Sequence, residues 1–236
     1  MSGETIRTEA ACLAIRPWSR TSHVVTWLTS SGRLATLVKG AARPKSAFLG
    51  QYDLNYTCEI VYYARARGEV HALRECTAID RRDGLRDDYR ALALADYFRT
   101  MCGTLAPAGP EAADWRDALE GALGSLAARG ERSAVDSLGR LLAFEMRVLE
   151  LSGLSPDLSE NAHNRAFQLR GERRMPVSRE TLGCLRSPRD EKNLKILVDA
   201  ARAIGVFYAF HLDCASDVRR TVLRMICNNE RRTEKR

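Results

Sequence analysis

The sequence reads as an α+β chain, with a small five-stranded β-barrel in residues 1–80 and an α-helical domain in residues 81–236. Three features point there. Apolar residues alternate in short runs up to about residue 80, and they recur at helical spacing from Asp83 onward. The 236 residues are 45% hydrophobic and 28% charged, which suffices for a sizeable buried core and is too apolar for a disordered chain.

The strands come first. Cys12–Arg16, His23–Thr29 and Arg33–Lys39 are short runs rich in Val, Ile, Leu and Thr. Turn-forming clusters at Pro17 to Ser22 and at Ser30-Ser31-Gly32 separate them. The fourth run, Leu54 to Tyr63, places Leu54, Tyr56, Cys58, Ile60 and Tyr62 on one face. Arg65-Ala66-Arg67-Gly68 reads as a hairpin tip that returns into a fifth strand, Val70 to Ile79. Five short strands and one long basic loop, Gly40–Gly50, suit a closed barrel of the OB-fold type, whose face and loops hold single-stranded nucleic acid.

Helical stripes follow. Trp115, Leu119, Ala122, Leu123 and Leu126 form one, ending near Gly130. Val135, Leu138, Leu142, Met146 and Leu149 form a second, closed by Gly153. A third runs from Leu194 to Leu212 and includes His211, expected to be a packed histidine with one hydrogen bond. Val218, Val222, Met225 and Ile226 make a short last stripe before a basic tail. These stripes are core faces. Asp87 and Asp88 are expected in the first turn of a helix, where carboxylates favour the macrodipole. Residues 155–188 break the pattern: an irregular, arginine-rich excursion with Pro156, Pro176 and Pro188.

Charge is unevenly spread. Residues 1–80 carry ten Lys or Arg against seven acids, residues 81–164 ten against fourteen, and residues 165–236 seventeen against nine. No acid at all occurs from Ala10 through Tyr52, a window holding Arg16, Arg20, Arg33, Lys39, Arg43 and Lys45. A one-signed field of that length attracts polyanions. With no basic amphipathic helix beside it, nucleic acid fits better than a lipid surface. Outward-facing aromatics among Trp18, Trp27, Tyr52, Tyr56, Tyr62 and Tyr63 would stack bases.

Catalytic patterns do not emerge. Gly40-Ala41-Ala42-Arg43-Pro44-Lys45-Ser46 resembles a phosphate loop only superficially. It lacks the glycine before the lysine, and Pro44 removes an N–H the cradle needs. The four histidines (23, 71, 163, 211) lie far apart, and H-E-x-x-H, G-x-S-x-G and G-x-G-x-x-G are all missing. Seven scattered cysteines without a C-x-x-C pair, behind a start that lacks a secretory pattern, read as reduced thiols of a cytoplasmic protein. No apolar run reaches the ~18 residues of a membrane span. The expectation is a binding protein with no catalytic residue, no metal and no cofactor.

The order of motifs is informative in itself. Ile15-Arg16-Pro17-Trp18-Ser19-Arg20-Thr21-Ser22-His23-Val24-Val25-Thr26 is followed by Gly32-Arg33-Leu34. Then come Val38-Lys39-Gly40-Ala41-Ala42-Arg43-Pro44-Lys45-Ser46 and Leu85-Arg86-Asp87-Asp88-Tyr89, and finally Tyr208-Ala209-Phe210-His211-Leu212 with Arg219-Arg220. In this order the chain resembles the RecO family of bacterial recombination mediators. The resemblance implies a non-enzymatic, nucleoid-associated role in recombinational repair. It implies binding to single- and double-stranded DNA and annealing of complementary strands. It also implies partnership with RecR and with the acidic tail of single-stranded DNA-binding protein in loading RecA. The DNA-contact residues expected on this basis are Arg16, Arg20, His23, Arg33, Lys39, Arg43, Lys45, Arg65 and Arg67. Arg132, Arg140 and Arg147 are candidates for the acidic tail.

One departure stands out. Many family members carry a four-cysteine zinc site after the position of Gly153-Leu154-Ser155-Pro156-Asp157-Leu158. Here Asn161 and Asn164 replace the first pair, and Cys184 with His163 cannot supply four ligands. Residues 155–188 therefore read as a degenerate zinc-finger-like excursion without metal. The competing functions are a generic OB-fold RNA-binding protein without annealing activity, a metal-dependent nuclease and a pure scaffold. The acid-poor barrel disfavours the nuclease.

Overall fold

The computed structural model describes residues 4–65, 68–128, 133–158, 166–168, 174–212 and 216–227. They form two compact units. One comprises Met1–Leu85 with Phe98–Ala127, and the other Arg86–Tyr97 with Ala128–Arg236.

The first unit is built on a closed barrel of β1 (Thr5–Ser19), β2 (Ser22–Thr29), β3 (Gly32–Val38), β4 (Thr57–Tyr63) and β5 (Val70–Asp80). The strands close in the order β1-β2-β3-β5-β4, with β3 and β5 parallel and every other pair antiparallel. This is the OB-fold arrangement. The long β1 serves two neighbours, pairing β4 from Thr5 to Ala11 and β2 from Ala11 to Ser19.

Alternation fills the interior. Ala10, Cys12, Val25, Trp27, Val38, Tyr56, Cys58, Ile60, Tyr62, Leu73 and Cys76 make the core. The Trp27 indole N–H donates to Thr36 Oγ1 at 2.8 Å, so burying that ring leaves no orphan donor. A hydrogen bond with Cys76 and burial hold the Cys58 thiol well above its usual range, and burial does the same for Cys12. These thiols stay protonated and unreactive at neutral pH.

Strand limits differ from the pattern reading at both ends of β1, which begins at Thr5 rather than Cys12, and at the start of β4. Pro17 lies inside β1, at its far end, where a missing N–H costs least. Leu54 lies outside β4 and is exposed, because Asn55 turns the chain at φ 66° before the strand begins at Thr57.

Two helices contribute to this unit: the second half of α1 (Tyr89–Leu105) and α2 (Ala112–Ala127). Trp115, Leu119, Leu123 and Leu126 form the buried stripe of α2. Arg82, buried and held at φ 49°, donates to Asn55 O, Thr57 Oγ1 and Glu120 of α2. The Thr57 hydroxyl also donates to Glu120, at 2.6 and 2.8 Å. The network fastens α2 to the barrel.

The second unit holds the start of α1, then α3 (Ala134–Leu151), the short strands β6 (Ala166–Gln168) and β7 (Arg174–Pro176), and α4 (Arg179–Arg186), α5 (Leu194–His211) and α6 (Ser216–Cys227). Ser133 caps α3, accepting from Asp136 N–H at 3.1 Å, and Gly153 at φ 68° lies just beyond its end. Its interior contains charge: Glu145, fully buried on α3, accepts from Arg219 Nε at 2.6 Å and Nη2 at 3.0 Å. The Tyr97 hydroxyl donates to the same carboxylate at 2.7 Å, and the Tyr208 hydroxyl donates to Glu145 O at 2.9 Å.

Three details correct the sequence reading here. Asp88 precedes α1, and its carboxylate accepts from Arg90 N–H at 2.8 Å, so neither Asp87 nor Asp88 lies within the first turn. His211 stacks on Phe207 with centroids 4.3 Å apart, and its Nε2 has no hydrogen-bond partner among the described residues. The arginine-rich excursion holds the β6–β7 pair and α4, which pattern reading missed because each is so short. Asn161, His163 and Asn164 lie outside the described residues.

Candidate nucleic-acid interface

The β1–β2 hairpin closes at Ser19 and Ser22, and the loop that leaves β3 is tied to its tip. Ala42 N–H donates to Thr21 O at 3.1 Å, and Gly40 N–H donates to Ser22 Oγ at 3.2 Å. The loop then coils on itself, with Arg43 N–H donating to Gly40 O and Ser46 N–H to Arg43 O. Gly40 sits at φ 68°, and a Cβ there would lie 3.2 Å from Arg43 Cδ. The arginine stem lies over the glycine, which only glycine tolerates in this conformation.

These ties bring Arg16, Arg20, Lys39, Arg43 and Lys45 to one end of the barrel. All five are exposed, and among the described residues none has a carboxylate partner. The opposite flank behaves differently. Arg7 pairs with Glu59 at 2.5 Å across β1 and β4, and Arg74 pairs with Glu75 at 3.2 Å on β5. Charge on that flank is neutralised within the protein, and charge on the hairpin end is left for solvent or a ligand.

The other expected contacts divide. His23 is half-buried, its Nδ1 hydrogen-bonded with the Tyr52 hydroxyl at 2.8 Å, so it braces the hairpin end. Arg33 lies at the far end of β3, where its guanidinium donates to the Gly103 carbonyl of α1. Arg65 is exposed in the β4–β5 connection, with its backbone N–H donating to His71 Nδ1 at 3.1 Å. Arg67 lies outside the described residues.

Pattern reading missed a cover. α2 packs on β2 and β3 from outside the barrel. Trp27 faces the barrel interior, and its neighbour Leu28, pointing the other way, is equally buried. Strands two and three form the usual oligonucleotide-binding face of an OB-fold. Here part of that face is occupied, and the hairpin tip with the following loop remains open.

In the second unit, an apolar groove of about 300 Å³ is lined by Val177, Thr181, Ala203 and Val206, with Asp199 and Arg202 also in its wall. Of the arginines expected to meet an acidic tail, Arg140 pairs with Asp136 and Arg147 with Glu150, both at 2.7 Å, and Arg132 lies outside the described residues. No group of three or more His, Cys, Asp or Glu among the described residues is arranged to hold a metal ion. No helix among them is long and apolar enough to cross a membrane.

Comparison with known proteins agrees with this geometry. Residues 1–82 match the family described as recombination protein O, N terminal. The barrel is thus similar to the N-terminal domain of RecO proteins. Over 162 residues the chain is 28% identical to the DNA repair protein RecO of Roseiflexus sp. (strain RS-1), covering 69% of this chain and 55% of that one. It is 25% identical over 156 residues to RecO of Alkaliphilus metalliredigens (strain QYMF), covering 65% and 61%, and 30% identical over 140 residues to RecO of Rhodopirellula baltica, covering 59% and 50%. The matched part thus spans about half to three-fifths of these RecO relatives.

Proposed function

We propose that this chain is a non-enzymatic, DNA-binding recombination mediator of the RecO type. It binds single- and double-stranded DNA, anneals complementary strands and, together with RecR, helps load RecA. The observation that supports this reading is the end of the barrel where five exposed cations converge without a carboxylate partner among the described residues. Annealing follows from elementary electrostatics: two phosphate backbones repel, and a protein that neutralises both lowers the cost of their approach. The groove beside Arg202, whose guanidinium is paired with Asp199 at 3.2 Å, offers an apolar floor to the acidic tail of single-stranded DNA-binding protein.

Complementary labelled strands mixed with the protein, with and without excess competitor RNA, provide the test. Duplex formation should accelerate and should resist the RNA. Acceleration that RNA abolishes would favour a generic RNA-binding protein, and no acceleration at low salt would overturn the annealing role.

A further inference from the structure

Of the three tryptophans in the chain, two are core residues: Trp27 is 0% exposed and Trp115 3%. Trp18 is 69% exposed. A large indole left in water is the informative kind of exposed residue. Its position has a structural cause. Along the β1–β2 ladder Pro17 pairs with His23 and Ser19 with Ser22, so Trp18 is the extra residue of a bulge. A bulge of this kind leaves its extra residue unpaired and re-aims its side chain. Among the described residues no ring stacks on Trp18 and no cation is seated on it. Arg16 and Arg20 flank it, and the hydrogen-bonded loop brings Lys39, Arg43 and Lys45 to the same end.

We infer that Trp18 is a stacking platform for an unpaired base, and that it gives the cationic end its preference for single strands over duplex. The inference deepens the DNA-binding reading and rests on it. The chemistry divides cleanly. The cations contact phosphates, which single strands and duplexes both present. An indole needs a free base face, and base pairing with its stacking hides that face within a duplex. A neutral or basic protein surface fits less well, because Arg16 and Arg20 flank the indole and no acid lies nearby in the chain.

Tryptophan emission reads the contact directly, since Trp18 alone of the three tryptophans is exposed to solvent. The full chain is titrated with an oligo-dT strand and, separately, with a capped hairpin duplex, while anisotropy of labelled DNA reports binding. Both ligands should bind, and only oligo-dT should quench the red-shifted, solvent-exposed emission. Trp18→Ala should weaken oligo-dT binding about five- to hundred-fold, the range that loss of one stacked base implies. Duplex affinity should stay within about two-fold, since phosphate contacts are untouched. Trp18→Phe should recover much of the loss, and the melting temperature should not move in either variant.

Oligo-dT that binds without quenching would overturn the role of Trp18 and leave the DNA reading standing. So would Trp18→Ala weakening both ligands equally, weakening neither, or abolishing self-association without changing DNA affinity. Failure of both ligands to bind at low salt would overturn the DNA reading, and this inference with it.

Discussion

Arginine does opposite work in two regions of this molecule. At the hairpin end of the barrel, Arg16, Arg20 and Arg43 stand in water with Lys39 and Lys45, none of them paired to a carboxylate among the described residues. Inside the helical unit, Arg219 is buried against a fully buried Glu145, with Tyr97 on the same carboxylate and Ala201 O accepting from Nη2 at 2.8 Å. Burial works to lower the Arg219 pKa, but the Glu145 charge outweighs it and holds the guanidinium firmly protonated. The exposed group costs the fold nothing and is available to a polyanion. The buried group is tied into the packing and can bind nothing else.

The largest effect should come from breaking the buried pair. Arg219→Ala leaves a desolvated carboxylate without its partner, and Glu145→Ala leaves a desolvated guanidinium. Each should destabilise the chain by about 3–5 kcal/mol in urea unfolding. Glu145→Leu combined with Arg219→Met should recover most of the loss, because a well-packed apolar pair can replace a buried ion pair. If either single variant unfolds like the parent, the pair is not a structural element.

Salt should act on the other region. If ~4–6 phosphates of a single strand are neutralised, log K against log salt should slope at about −3 to −4. Between ~50 and ~200 mM salt, affinity for oligo-dT then falls about 100-fold. A slope near zero would mean that the free cations are not the contact.

Arg43→Glu with Lys45→Glu sharpens the comparison further. Affinity for single strands and duplex should drop about ten-fold or more, similarly across unrelated sequences, because phosphate contacts carry no base information. Stability should shift by no more than ~0.5 kcal/mol, as for most surface substitutions. Unchanged affinity with an unchanged melting temperature would move the contact elsewhere on the chain.

The smallest effect is alkaline. Burial pushes the Cys102 thiol up to about 12, and burial with the Glu191 charge pushes Cys184 up to about 11. Both folded-state values lie above the ordinary thiol value of 9.0, so the unfolded chain loses these protons first. Stability from these groups is therefore complete below that value and declines as pH rises toward 11 and 12. Cys102→Ala should flatten part of that decline in urea titrations. An identical pH profile in the variant would rule out a contribution from this thiol.

Much of the barrel was legible beforehand because a strand writes its two faces into alternate residues. Tyr56, Cys58, Ile60 and Tyr62 were assigned to one face by spacing, and all four lie in the core. The α2 and α5 stripes were legible for the same reason at helical period. Leu54 failed because a left-handed Asn55 is a backbone event that apolar spacing does not record. The candidate site was legible as a charge pattern only. The acid-free window named every cation now found at the hairpin end, but it also included Arg33, whose guanidinium is taken by a carbonyl 70 positions away.

What the sequence determined by itself was local: the two periodicities, the breaker clusters between them, and the absence of acids from Ala10 to Tyr52. Each depends on neighbours within a turn or a strand, where geometry converts spacing directly into a face. The tertiary structure alone decided which charges are spent and which are free. Arg82 meets Glu120 and Arg219 meets Glu145 across 38 and 74 positions, and no local pattern encodes such encounters. It also decided that Trp18 is turned outward, because it is the extra residue of a β1 bulge between the Pro17–His23 and Ser19–Ser22 pairs. Spacing fixes a face only while the register holds, and register is set by the partner strand.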